Sequence, residues 1–136
     1  MPSGLYTVAE KGLLDADIDM LGDTIKVRAV SDTDYTYDEA NTSMTPIIKY
    51  AGSTDATLGT KSTTAGVFDA ADLAPAFATL SQDAAKVING LVIFKFISND
   101  AGSTPIGYID LSSPTTPNGG DVNITWNASG VFSIAT

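Results

Sequence analysis

The chain has 136 residues, no cysteine and no histidine, and it carries 16 acids against 7 basic residues, for a net charge of −9. That length predicts one domain with its own apolar core. The missing residue types exclude disulfides, thiolate or imidazole metal ligands and any nucleophile–histidine pair within the chain, and the shortage of Lys and Arg argues against a phosphate-binding surface.

Residues 1–23 read as an extended N-terminal arm. Leu5, Tyr6, Val8, Leu13 and Leu14 are spread among Gly, Pro and acids, and Ala9-Glu10-Lys11 supports no more than a short helical turn. Asp15, Asp17 and Asp19 alternate just ahead of Gly22-Asp23. A calcium loop of the EF-hand type beginning at Asp15 would need Gly at its sixth position and Glu at its twelfth, where the chain has Met20 and Lys26. These acids are therefore expected on the polar side of a segment leading into the first strand, and no metal or other cofactor is expected.

From Thr24 the pattern sharpens. Ile25, Val27 and Ala29 fall on one side and Lys26 and Arg28 on the other, which predicts a half-buried strand. Ser31–Ser43 is a long polar loop. Its Tyr35 and Tyr37 are large amphipathic rings that are expected to cover something, a subunit contact being the natural choice. Short strands are expected at Pro46–Tyr50, Asp55–Lys61 and Gly66–Ala70, with Ser62–Thr64 as a turn. Leu73–Leu80 reads as a strand despite its alanines and Pro75.

Asn89–Ile97 is apolar almost throughout and predicts a central strand buried on both faces. It makes a hairpin with the alternating Ile106–Leu111 through Asn99–Ser103. Asn118-Gly119-Gly120 marks a further reversal. Val122, Ile124 and Trp126 then share one strand face, and Val131–Ala135 returns as the last strand. The sum is an all-β fold, a single-domain β-sandwich or small barrel of about seven to nine short strands over residues 24–136, with the arm over 1–23.

The candidate sites have plain readings. Sixteen acids in one chain always place some pair close together, so no paired-carboxylate glycosidase follows, and the chain reads as no enzyme. Three Asn-x-Ser/Thr tripeptides, at Asn41, Asn123 and Asn127, are expected coincidences in a Thr- and Asn-rich β protein that lacks a secretory leader pattern. Phe94, Phe96, Trp126 and Phe132 are expected as core. The apolar run at residues 90–97 is broken by Lys95 and is too short to cross a bilayer, so no membrane partner is expected.

The stretch LLDADIDMLGDTIKV followed by the Tyr-bearing loop resembles the opening of a family of small structural proteins of tailed bacteriophages, "leu-leu-x-gly-asp-ile-asp-trp-leu-x-asp-thr-ile-lys-val". Val92–Lys95 resembles the family's "leu-val-ile-tyr-lys", Pro105–Ile109 its "leu-ile-ala-tyr-ile-asp", and Thr116–Trp126 its "thr-pro-asn-gly-gly-asp-ile-thr-ile-thr-trp". The chain departs at Met20, where the family has Trp, and at Ala16, where it has Gly; the likeness does not extend over residues 37–85. The resemblance implies a non-enzymatic virion component, a capsid decoration (cement) protein on the outside of the head. Its partners would be the major capsid protein and itself, as a homotrimer or, as second choice, a dimer, with no direct nucleic-acid contact; it would be made in the host cytoplasm. Another place in the virion (tail, neck, baseplate or head fibre) and a carbohydrate-binding β-sandwich are the alternatives. On this reading Leu5, Tyr6, Val8, Leu13, Leu14, Tyr35 and Tyr37 are the candidate subunit or capsid contacts, and removal of residues 1–23 is expected to leave a folded domain.

Overall fold

A computed structural model describes residues 3–133. The protein is built of antiparallel strands with one short helix. Its main sheet has five strands in the order β1-β8-β7-β2-β3, formed by Gly4–Leu5, Asn99–Thr115, Ile88–Ile97, Ile25–Val30 and Ala56–Thr57. A three-stranded sheet runs β10-β5-β4, from Phe132–Ser133, Val67–Asp69 and Ser62–Thr64. Leu73–Phe77 (β6) and Val122–Ile124 (β9) make a separate pair. The five-stranded sheet is open, because its edges β1 and β3 do not pair with each other. It is therefore not a closed barrel.

The β7–β8 hairpin is the scaffold, as the apolar run predicts. Gly90, Leu91, Val92, Ile93 and Phe94 are all buried, and β2 pairs along the other side of β7 from Ile25↔Lys95 to Val30↔Gly90. Register puts Leu91, Ile93, Val27 and Ala29 on one face and Val92, Phe94, Arg28 and Val30 on the other. The small sheets cover the first face. The second is covered by the polar-looking loop of residues 31–50, which contributes Tyr35, Met44, Ile47 and Tyr50 to the core. The expectation that Arg28 faces water is therefore corrected. The alternation is present, but Arg28 is buried because Asp55 and Asp100 arrive from elsewhere in the chain to pair with it, and only Lys26 stays half-buried.

Residues 4–14 depart most from the sequence reading. They are not an extended arm. β1 pairs with the middle of β8 (Gly4↔Tyr108, Leu5↔Gly107), and the Tyr6 N–H donates to the Ile106 carbonyl at 3.0 Å. Thr7–Leu14 is then an eight-residue helix, α1, packed on β8. Ala, Glu, Lys and Leu are good helix formers, and the helix is held by burial of Ala9 and Gly12, not by a side-chain cap. It ends where the Gly12 carbonyl accepts from the amides of both Asp17 and Ile18, folding the chain back on itself.

Smaller differences have local causes. Pro46–Tyr50 is not a strand: Ile47 and Tyr50 point into the core from an irregular loop while Ile48 is exposed, so neither face alternates cleanly. Ser62–Thr64 is a strand, not a turn. The turn is the next dipeptide, Ala65-Gly66, with φ of 51° and 81°, the two positive values that a two-residue type I′ hairpin requires. The strand expected at Asp55–Lys61 shrinks to Ala56–Thr57, and that at Val131–Ala135 is seen as Phe132–Ser133, with Val131 a bend and residues 134 and 135 outside the described residues. β6 does form, with its register shifting between Leu73 and Phe77 around Pro75, which has no N–H for a ladder.

Candidate functional site

Four groupings of side chains stand out, and two of them turn inward. The first joins Tyr6, Tyr35, Tyr37 and Tyr108 beneath the N-terminal segment. Tyr37 stacks on Tyr108 with ring centroids 5.0 Å apart and meets Tyr6 edge-on at 5.1 Å. The Tyr6 and Tyr35 hydroxyls lie 2.8 Å apart, and since Tyr35 donates to Asn41 Oδ1 at 2.7 Å, Tyr6 is the donor of that pair. Tyr37 donates to the Leu5 carbonyl at 2.8 Å. Burial holds all four phenols above the ordinary tyrosine range, and at Tyr6 the hydrogen bond to Tyr35 adds to it. Of the expected contact residues, Tyr6 and Tyr35 are thus buried, and Leu5, Val8 and Tyr37 pack partly buried against the same core. These five hold the chain's own N-terminal segment.

The second grouping is centred on Arg28, whose side chain is 3% exposed. Its Nε and Nη2 donate to Asp55 Oδ1 and Oδ2 at 3.0 and 2.7 Å, a bidentate pair. Its remaining hydrogens reach Asp100 Oδ1 at 2.8 Å and the Ile47 carbonyl at 2.7 Å, and the guanidinium lies over the Phe94 ring. Burial works against the charge, but the bonds to Asp55 and Asp100 outweigh it and keep Arg28 protonated. The group fastens the 44–50 loop, the segment before β3 and the start of β8 to one strand. No local signal marks Arg28 for this task, because Asp55 and Asp100 lie 27 and 72 residues along the chain.

The third grouping is at the surface, where α1 ends. Asp15 pairs with Lys11 one turn back, and Asp19 Oδ1 accepts the Leu21 amide at 3.1 Å. Asp23 takes the Asp19 amide at 2.8 Å and lies 3.0 Å from Lys95 Nζ. Burial pushes the Asp23 carboxyl up, but that amide and the Lys95 ammonium bring it below its ordinary value. Asp15, Asp19 and Asp23 each serve a local contact, and among the described residues no three acids converge as a metal cage. Between this stretch and the β4–β5 hairpin lies an open cleft of about 260 Å³, lined by Leu13, Ile18, Met20, Leu21, Val67 and Phe68 among others. Leu14, next to the lining residue Leu13, is 87% exposed, and Leu21 is 50% exposed. Of the expected contact residues, Leu13 lines this cleft and Leu14 is exposed beside it in the chain.

A second cleft, of about 280 Å³, separates the β6–β9 pair from the main sheet. Leu91, Ile109, Leu111 and Ile124 line its floor, and Asn123, Thr125 and Trp126 its rim. The Trp126 indole donates to the Ala71 carbonyl at 3.0 Å and its backbone amide donates to Asp72, so the ring is anchored to the segment before β6. Phe94 is fully buried, Phe96 carries the Lys26 ammonium 3.9 Å from its centroid, and Phe132 packs on Phe68.

No family model, no curated protein and no solved structure matches this chain.

Proposed function

We propose that this chain is a non-enzymatic structural protein of a tailed-bacteriophage virion, acting as a capsid decoration protein that grips the outer face of the major capsid protein shell. The observation that carries the reading is where the phage-like segments fall. The LLDADIDMLGDTIKV segment runs from the end of α1 into β2, Val92–Lys95 lies in β7, and Pro105–Ile109 lies in β8, so the likeness follows three neighbouring strands of one sheet. Thr116–Trp126 supplies the turn and β9 that pack over that sheet. A likeness that follows a contiguous scaffold is what shared architecture would leave.

The rest of the chain suits the role. A brace needs a rigid body, and the β7–β8 hairpin with the Arg28 clamp supplies one. It must stay dissolved at high local concentration, which a charge of −9 favours. The small sheets stacked on one face of the large one make the arrangement a β-sandwich on this reading, and a homotrimer is the proposed assembly. The test is to add the purified protein to empty heads that lack their decoration protein, then measure co-sedimentation and the heat resistance of the heads. Saturable binding with more resistant heads is the expected result. Labelled protein found on tails, necks or head fibres of intact virions and absent from shells would overturn the capsid assignment.

A further inference from the structure

We propose that the cleft between the α1 end and the β4–β5 hairpin is the docking site for a partner-protein surface that presents one or two large apolar side chains flanked by Lys or Arg. The proposal deepens the decoration reading and rests on it, since the partner would be the shell. Single exposed leucines are ordinary, but here Leu21 is half exposed at a cleft lined by Ile18, Met20, Val67 and Phe68, and Leu14 is exposed next in the chain to the lining residue Leu13. A space of about 260 Å³ takes side chains, not a folded element.

Charge selects the occupant. Asp15, Asp17 and Asp19 are all exposed and bracket the lining residue Ile18 along the same stretch. The nearby cations are already engaged: Lys11 pairs with Asp15, Lys95 with Asp23, and Lys61 reaches the Asp23 carbonyl. Among the described residues the Asp17 and Asp19 carboxylates form no ion pair, although the Lys95 ammonium also donates to the Asp17 carbonyl at 2.6 Å, and the chain's net charge is −9. A second copy would bring like charge to the rim and is disfavoured, whereas a basic rim on the partner is attracted and steered. The contact divides in two: leucines and cleft give affinity, acids give partner choice and approach rate.

The experiment uses the full chain, Leu14→Ser/Leu21→Ser, and Asp17→Lys, with thermal unfolding to show that both variants remain folded. Two probes are measured in parallel: empty heads, and a labelled peptide with Leu and Phe anchors between lysines, beside a copy with glutamates for the lysines. The wild type is expected to bind heads and the lysine peptide, more weakly as salt rises, and to ignore the glutamate peptide. Each variant should lose about tenfold or more against both probes. Heads bound equally by wild type and variants would overturn the cleft as the shell contact and leave the decoration reading standing. Heads bound by none, with the lysine peptide still bound in the cleft, would overturn the decoration reading alone. Equal binding of the two peptides, or concentration-dependent self-association abolished by Leu14→Ser/Leu21→Ser, would overturn the basic partner.

Discussion

The hydroxyl of Tyr6 donates to the hydroxyl of Tyr35 across 2.8 Å in the protein interior, joining the N-terminal segment to a loop 29 residues away. This contact reverses the expected behaviour of the N-terminus. Tyr6 is fully buried, so Tyr6→Ala is predicted to lower unfolding free energy by about 3–5 kcal/mol, as for other large aromatic-to-alanine changes. Tyr6→Phe keeps the ring and should cost only about 0.5–1.5 kcal/mol. Deletion of residues 1–14 should abolish cooperative folding, contrary to the sequence reading. Urea unfolding followed by fluorescence checks all three, and a cooperative, near-wild-type transition for the deletion would contradict the internal role.

The same cluster sets an alkaline limit. The Tyr6, Tyr35, Tyr37 and Tyr108 phenols are raised above their unfolded values by burial. A raised pKa contributes stability that is complete below the unfolded value and is lost as pH rises toward the folded one. Stability should therefore start to fall above about pH 10, where unfolded tyrosine ionises. Tyrosinate absorbance should develop together with unfolding; ionisation of all tyrosines in the still-folded protein would contradict this.

Asp23 sets a smaller acid limit with the opposite sign. Its carboxyl lies below its ordinary value, since the Asp19 amide and Lys95 outweigh burial. Its contribution is complete above the unfolded value and is lost as pH falls through the lower folded one. Asp23→Asn should be less stable than wild type at neutral pH, and the difference should narrow as pH drops below about 4. A pH series of thermal unfolding for both proteins measures it.

At Arg28 the two carboxylate partners should count unequally. The Asp55 side chain is 16% exposed and makes a bidentate pair, whereas that of Asp100 is 52% exposed. Arg28→Ala, which strands Asp55 in a part-buried site, is predicted to cost about 3–5 kcal/mol. Asp100→Ala should cost about 1 kcal/mol or less, given its solvent screening. Chemical denaturation of the variants and of the Asp55/Asp100 double mutant would show whether the order holds.

Gly90 tests how tightly the tyrosines press on the sheet. A Cβ there would lie 2.6 Å from carbons of the Tyr108 ring, which is itself pinned by stacking on Tyr37. Gly90→Ala should therefore destabilise by about 1–3 kcal/mol through displacement of that ring. The shift should appear in the near-ultraviolet circular dichroism as well as in the melting temperature.

Wherever local pattern and final environment agree, the sequence is a sufficient guide. The apolar run of β7, the β7–β8 hairpin and the alternation of Val122 and Ile124 were legible, because a strand buried on both faces or on one writes that burial into neighbouring residues. The candidate surface was half legible: Leu13 and Leu14 were singled out, while Leu21 and the Val67–Phe68 wall were not, since a cleft between distant segments has no spacing signature.

The amino-acid sequence by itself determined that the chain is strand-rich and strongly acidic, because composition and period-two patterning are properties of short windows. Only the tertiary structure decided that Arg28 and the tyrosines of residues 6–37 are internal and that Leu14 and Leu21 are not. Burial of a polar or amphipathic side chain depends on partners that arrive from elsewhere in the chain, here Asp55, Asp100 and Tyr108.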